Sequence, residues 1–101
     1  MSWTRGGILG SAALAGVRAG RVVRVAGVRV MHQAPPTARG VHFLTLEDED
    51  GMLNIVVRPE IYKAWRSTTR QASLLVVEGT VQRRDGVTNV VAREVRRLEM
   101  G

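Results

Sequence analysis

The sequence contains no cysteine. Disulfides and thiolate-bound zinc are excluded, and with them the cross-linked miniature scaffolds. The absence carries no information about compartment. Aromatic residues are scarce, with two Trp, one Tyr and one Phe, and only three prolines punctuate the chain. No apolar run approaches the length of a membrane-spanning helix. No internal repeat or low-complexity tract is visible. At 101 residues the chain holds one domain with a modest core and has no room for a cofactor domain beside a substrate domain.

Charge is present in quantity and unevenly. Fifteen Lys+Arg against nine Asp+Glu give +6 and a pI near 11.4, which points to a polyanionic partner. Four of the acids are consecutive, Glu47, Asp48, Glu49 and Asp50, so the rest of the chain carries 15 basic against 5 acidic residues. Fourteen of the basic residues are Arg. Guanidinium suits phosphate and base stacking better than ammonium, although a GC-rich genome produces the same excess.

Residues 1–19 read as a lead-in segment. One Arg before the apolar run and no polar cleavage region after it make a signal peptide a poor fit. Leu9, Ala12, Ala13 and Leu14 recur at near-helical spacing, with Ser11 as a cap and Gly20 as a stop, so a short helix is expected. Residues 20–98 read as the main domain and 99–101 as a tail.

In the stretch 21–31, RVVRVAGVRVM, Val23 and Val25 alternate against Arg24, and Val28 and Val30 alternate against Arg29 beyond Gly27. The slip at Gly27 predicts a bulge that bends one long strand across two sheets. HQAPPTARG, 32–40, is predicted as a loop because of its two prolines. Residues 41–47 and 52–57 form a predicted hairpin around Asp50-Gly51. Pro59 opens a predicted helix, PEIYKAWRS, whose Ile61, Ala64 and Trp65 share one face that plugs the end of a barrel. Residues 74–82 and 87–95 form a second hairpin around Asp85-Gly86. Five strands with a helix between the third and fourth predict an all-β fold, a five-stranded OB barrel. An SH3-like barrel does not normally carry that helix.

OB barrels bind single strands across strands two and three, between the loops joining strands one to two and four to five. In HFLTLE the alternation places Phe43 opposite Leu44 and Leu46, out of the core, where an open π-face can stack on a base. Thr45, Asn54 and Gln82 are candidates for base edges or sugars. Arg39 in the first loop and Arg83 and Arg84 in the second are candidate phosphate contacts, joined by Arg24 and Arg29 on the outward side of strand one and Arg58 after strand three. Arg93, Arg96 and Arg97 read equally well as a solvated basic surface. Consecutive acids on a strand end point to alternate sides, so 47–50 reads as a solvated turn rather than a metal site. His32 and His42, with no third ligand at suitable spacing, read as a loop and a rim histidine. No Ser-His-Asp arrangement is supported, and neither a cofactor nor a small-molecule substrate is expected.

The segments GRVVRVAGVRV, HQAPPTARGVHFLTLEDEDGMLNIVV and LLVVEGTVQRRDGVTNVVAREV, within residues 8–98, resemble the OB segment near the C-terminus of bacterial DNA polymerase III alpha subunits, most closely the error-prone type. The resemblance implies a module that binds single-stranded DNA in or beside such a polymerase, in the cytoplasm. Neither the polymerase palm with its metal-binding carboxylates nor the phosphoesterase-like domain fits within the chain, so a non-catalytic role is expected. The strand-turn-strand is also similar to the anticodon-binding OB domain of aspartyl-tRNA synthetases. Phe43, Asp48, Gly51 and Asn54 match that pattern, whereas Glu47 stands where the synthetases have arginine. Two other readings stay open: a protein-interaction module that docks a polymerase or repair factor, favoured by the acidic turn beside Phe43, and RNA or tRNA binding.

Overall fold

The computed structural model describes residues 7–98; residues 1–6 of the expected lead-in and the expected tail at 99–101 lie outside them. Five strands, β1 (Val22–Gln33), β2 (His42–Glu47), β3 (Met52–Val57), β4 (Leu74–Arg84) and β5 (Val87–Arg97), close into a barrel in the order β1-β2-β3-β5-β4. Every pairing is antiparallel except β3 with β5, which is parallel. Helix α1 (Ser11–Leu14) precedes β1, and α2 (Pro59–Gln71) joins β3 to β4. The all-β barrel and the helix between strands three and four are as predicted.

Alternation builds the core, interrupted where the β4–β5 register shifts between Glu78 and Gly79. Leu44, Leu46, Leu53, Ile55, Leu75, Val77, Val81, Val90 and Val95 point inward and are fully buried. Each such side chain contributes about 1.5–3 kcal/mol of transfer free energy. Asp85 (φ 54°) and Gly86 (φ 80°) both adopt the left-handed conformation, which matches the twist of a tight hairpin and explains why Asp-Gly joins β4 to β5.

Strand β1 departs from expectation in three ways. First, the alternation does not slip at Gly27: Val23, Val25 and Gly27 continue inward, while Val28 and Val30, expected to face the core, are 45% and 46% exposed. Second, the register shift falls between Arg29 and Met31, against β2. Gly27 serves a different purpose, because a Cβ there would lie 2.6 Å from the carbonyl oxygen of Glu47. The strand does bridge two neighbours within the one closed sheet, with Val28 paired to Leu74 of β4 and to Glu47 of β2 at the corner. Third, β1 runs on to Gln33, so His32 lies in a strand and not in the loop.

The two ends of the barrel are closed separately. At the end where β1 finishes and β2 begins, α2 packs Ile61, Tyr62 and Trp65 against the core, as predicted for Ile61 and Trp65. This helix is longer than expected because it continues through a kink at Trp65 (φ −117°, ψ 18°). Buried Thr69 donates its hydroxyl to the Trp65 carbonyl at 2.8 Å, the back-bonding that bends helices. At the opposite end, Leu14 is buried and Leu9 and Val17 pack beside it. Gly10, not Ser11, is the N-cap of α1, and its missing cap oxygen is supplied from across the chain.

Candidate nucleic-acid interface

The outer surface of β2 and β3 is set by the same alternation that fills the core. Phe43 pairs with Val56 and with Gln33 of β1; Thr45 pairs with Asn54 and with Met31; Glu47 pairs with Met52 and with Val28. Directly opposed residues share a face, so these side chains form rows running across the strands. Phe43 is 39% exposed while Leu44 and Leu46 on the other side are buried, as the alternation predicts. The barrel continues the rows beyond β3. Asn54 pairs with Asn89 of β5, and Asn89 with Gln82 of β4.

Around Phe43 the surface is more apolar than the sequence suggested. Val28, Val30, Met31 and Met52 are all exposed. Met52 and Val28 flank Glu47, so apolar and acidic groups lie side by side.

The arginines divide by what holds them. Arg84 and Arg39 are exposed, and their side chains have no hydrogen bond or ion pair among the described residues. Arg58 lies 3.7 Å from Glu60 with both side chains more than half exposed, a pairing worth little in water. Arg83 is held in place. Its guanidinium donates to the carbonyls of Leu14 (3.2 Å) and Ala15 (2.8 Å), and to the Thr88 hydroxyl (3.2 Å). Arg29, expected on the outward side of β1, instead reaches α2, where it donates to the carbonyls of Thr69 and of Arg70, the latter at 3.0 Å. The inward phase that continues past Gly27 carries it to that end of the barrel. Arg24 is paired with Glu78 of β4 at 3.1 Å, in the part of β1 that faces β4. It stands nine positions along β1 from Gln33, the neighbour of Phe43, which is up to about 30 Å along a strand.

Asp48 supplies the missing cap of α1. One carboxylate oxygen accepts from the Ser11 amide (2.7 Å); the other accepts from the Ser11 hydroxyl (2.7 Å), the Asp50 amide (2.9 Å) and the Gly51 amide (3.0 Å). Burial raises its pKa, but these hydrogen bonds outweigh that and hold the carboxyl below its ordinary value. The acidic turn expected to be merely solvated therefore includes a structural pin.

At the other end, His32 Nε2 and His42 Nδ1 are 2.7 Å apart, and the His42 ring stacks on Tyr62 with centroids 3.5 Å apart. Burial lowers the pKa of both histidines, and for His32 the neighbouring His42, Arg29 and Arg70 lower it further. The pair ties the ends of β1 and β2 together at the base of the loop that carries Arg39.

The sequence pattern of the OB-fold nucleic acid binding domain matches residues 17–98, the barrel just described. The chain belongs to this OB-fold family. Among relatives of the OB domain, an error-prone DNA polymerase of Bdellovibrio bacteriovorus is 48% identical over 72% of this chain and 7% of its own length. One from Methylococcus capsulatus is 46% identical over 87% of this chain and 8% of its own. The chain thus spans under a tenth of these curated relatives. Asparaginyl-tRNA synthetase from Pyrococcus horikoshii, complexed with asparaginyl-adenylate, shares the fold with a TM-score of 0.67 at 19% identity, over 80% of this chain and 20% of that one.

Of the ten residues expected in the OB interface, the structure groups Phe43, Thr45, Asn54 and Gln82 on connected rows of one surface. Arg39, Arg58 and Arg84 stand exposed at the ends of the strands, and Arg24, Arg29 and Arg83 are engaged within the protein. The sequence reading missed Asn89. Its only signal was an Asn in a strand of β-branched residues, VTNVV.

Proposed function

We propose that this OB domain binds single-stranded DNA in the cytoplasm, without catalysing a reaction itself, as part of or accessory to an error-prone DNA polymerase. The observation that carries this reading is Phe43: the chain's only phenylalanine stands on the outer face of β2, beside Thr45 and Asn54, in a chain of charge +6. A base stacks on the ring, and the exposed Arg39, Arg58 and Arg84 hold the phosphates. The error-prone polymerase relatives make DNA the favoured strand, and RNA is the comparison arm.

The test is titration of labelled oligo-dT over a range of salt concentrations. With about three to five phosphates engaged, the log-log slope is expected to be about −2 to −3.5 for a single strand. A slope near zero, or tighter binding to duplex than to single strand, overturns the reading.

The second reading, a protein-docking surface, is favoured by the exposed Val28, Val30, Met31 and Met52 beside Glu47. Phosphate is repelled there, whereas a basic and apolar protein surface fits. This reading wins if Met52→Lys abolishes capture of a purified polymerase subunit while oligo-dT binding persists.

A further inference from the structure

Asparagine is depleted in β-strands because its short amide competes with the backbone and packs poorly on a pleated surface. Here two asparagines face each other across the parallel β3–β5 junction, Asn54 against Asn89, and Gln82 stands next to Asn89 on β4. All three point outward, since Leu53, Ile55, Val81 and Val90 beside them are buried. None of the three makes a side-chain hydrogen bond among the described residues. Neither local propensity nor internal bonding accounts for this row, and departures of that kind mark functional positions.

We propose that Asn89, with Asn54 and Gln82, forms an amide track that reads base edges and gives the domain a preference for adenine over thymine. The inference rests on the single-strand reading and adds a base preference to it. An amide presents a donor and an acceptor side by side, a pattern that pairs in bidentate fashion with adenine on two edges, N6 with N7 and N6 with N1, whereas thymine offers a matching pair on its Watson–Crick edge alone, N3–H beside a carbonyl. From Thr45 to Gln82 the row crosses three strand intervals, about 14 Å, which spans about four stacked nucleotides or fewer splayed ones. Phe43 lies one row away, two residues along β2 or about 7 Å. A base stacked on Phe43 thus leads its neighbours over the amides. At the far end of the track, Arg84 follows Gln82 along β4 and stands exposed to meet a phosphate.

The test uses the full chain with short homopolymers of dA and dT, for the unaltered protein, Asn89→Thr, Asn54→Thr and Phe43→Ala. Threonine favours strands, so the Asn→Thr variants keep the barrel while removing the amide. A thermal melt checks that they fold. The unaltered chain is expected to bind oligo-dA about fivefold or more tightly than oligo-dT, and Asn89→Thr to bring that ratio close to one, chiefly through weaker oligo-dA binding. A preference that persists in Asn89→Thr, or equal affinities in the unaltered chain together with a loss in Phe43→Ala, overturns the amide track alone. If the unaltered chain binds neither homopolymer, the single-strand reading fails and the track with it.

Discussion

The front of the barrel, from β2 through β3 and β5 to Gln82 of β4, and its back, where β4 pairs with β1 and β5, use polar residues in different ways. On the back, Arg24 pairs with Glu78, Glu78 stands opposite Glu94, and Glu94 binds Arg96, so charges of both signs satisfy one another within the sheet. On the front, the side chains of Thr45, Asn54, Asn89 and Gln82 make no hydrogen bond among the described residues, and the exposed Phe43 stands one row away. These charged residues on the back are accounted for by their neighbours. Those on the front are left to the strand proposed to bind there.

The sharpest way to break this contrast compares adjacent residues of β2. Leu44→Ala is expected to destabilise the fold by about 2–5 kcal/mol. For a domain of this size that is a loss of about 8–40 °C in melting temperature. Phe43→Ala is expected to change folding by only about 0.5 kcal/mol. Its effect falls on single-strand binding, with a loss of about 1–3 kcal/mol. Melts and titrations on both variants check this, and comparable melting losses would place Phe43 in the core and remove the platform.

The next effect is at the pinned end. Asp48→Ala is expected to cost about 0.5–2 kcal/mol, the usual range for a lost helix cap. The folded pKa of Asp48 lies below its ordinary value of 3.8, so its stabilisation is complete above the unfolded pKa and disappears as pH falls through the lower folded value. The variant and the parent should therefore converge in stability under strong acid, and a constant gap down to the lowest pH would remove the carboxylate from this role.

Smaller still is the front-to-back difference among arginines. Arg84→Gln is expected to reduce the magnitude of the salt slope by about 0.7, one phosphate on a single strand, whereas Arg24→Gln leaves it unchanged. Equal effects would move the binding surface to the back.

The least of the expected effects concerns His32 and His42. Both folded pKa values lie below 6.5, so the neutral pair stabilises the fold fully above that value, and the contribution declines as pH falls below it. His42→Gln should flatten stability between neutral and mildly acidic pH, as followed by denaturant midpoints.

Period-two alternation and Asp-Gly turns are local signals, and they make β2, β3, the second hairpin and the outward phase of Phe43 legible in the amino-acid sequence alone. Contacts between distant residues leave no such mark. Whether Arg83 meets a phosphate or the carbonyls of α1 depends on a helix 68 residues earlier in the chain. Arg29 reads as outward because Gly27 reads as a bulge, whereas the glycine answers the close approach of Glu47 from another strand. Asn89 becomes visible as part of a site only when the parallel register sets it against Asn54.

That parallel seam also governs the order in which the barrel is assembled. Asn54↔Asn89, Ile55↔Val90 and Val56↔Val91 are the paired positions between β3 and β5, far fewer than those joining β4 to β5. Each hairpin closes a short loop, but the seam must wait until α2 and β4 have been laid down, because the loop entropy of the intervening chain opposes it until then. It is the natural last step of folding and the first place to part, so its amides should exchange with solvent ahead of those in the hairpins. An amide pair mounted on this seam exists only when the cylinder is shut, and a strand lying across it would act as a latch that slows exchange on both sides.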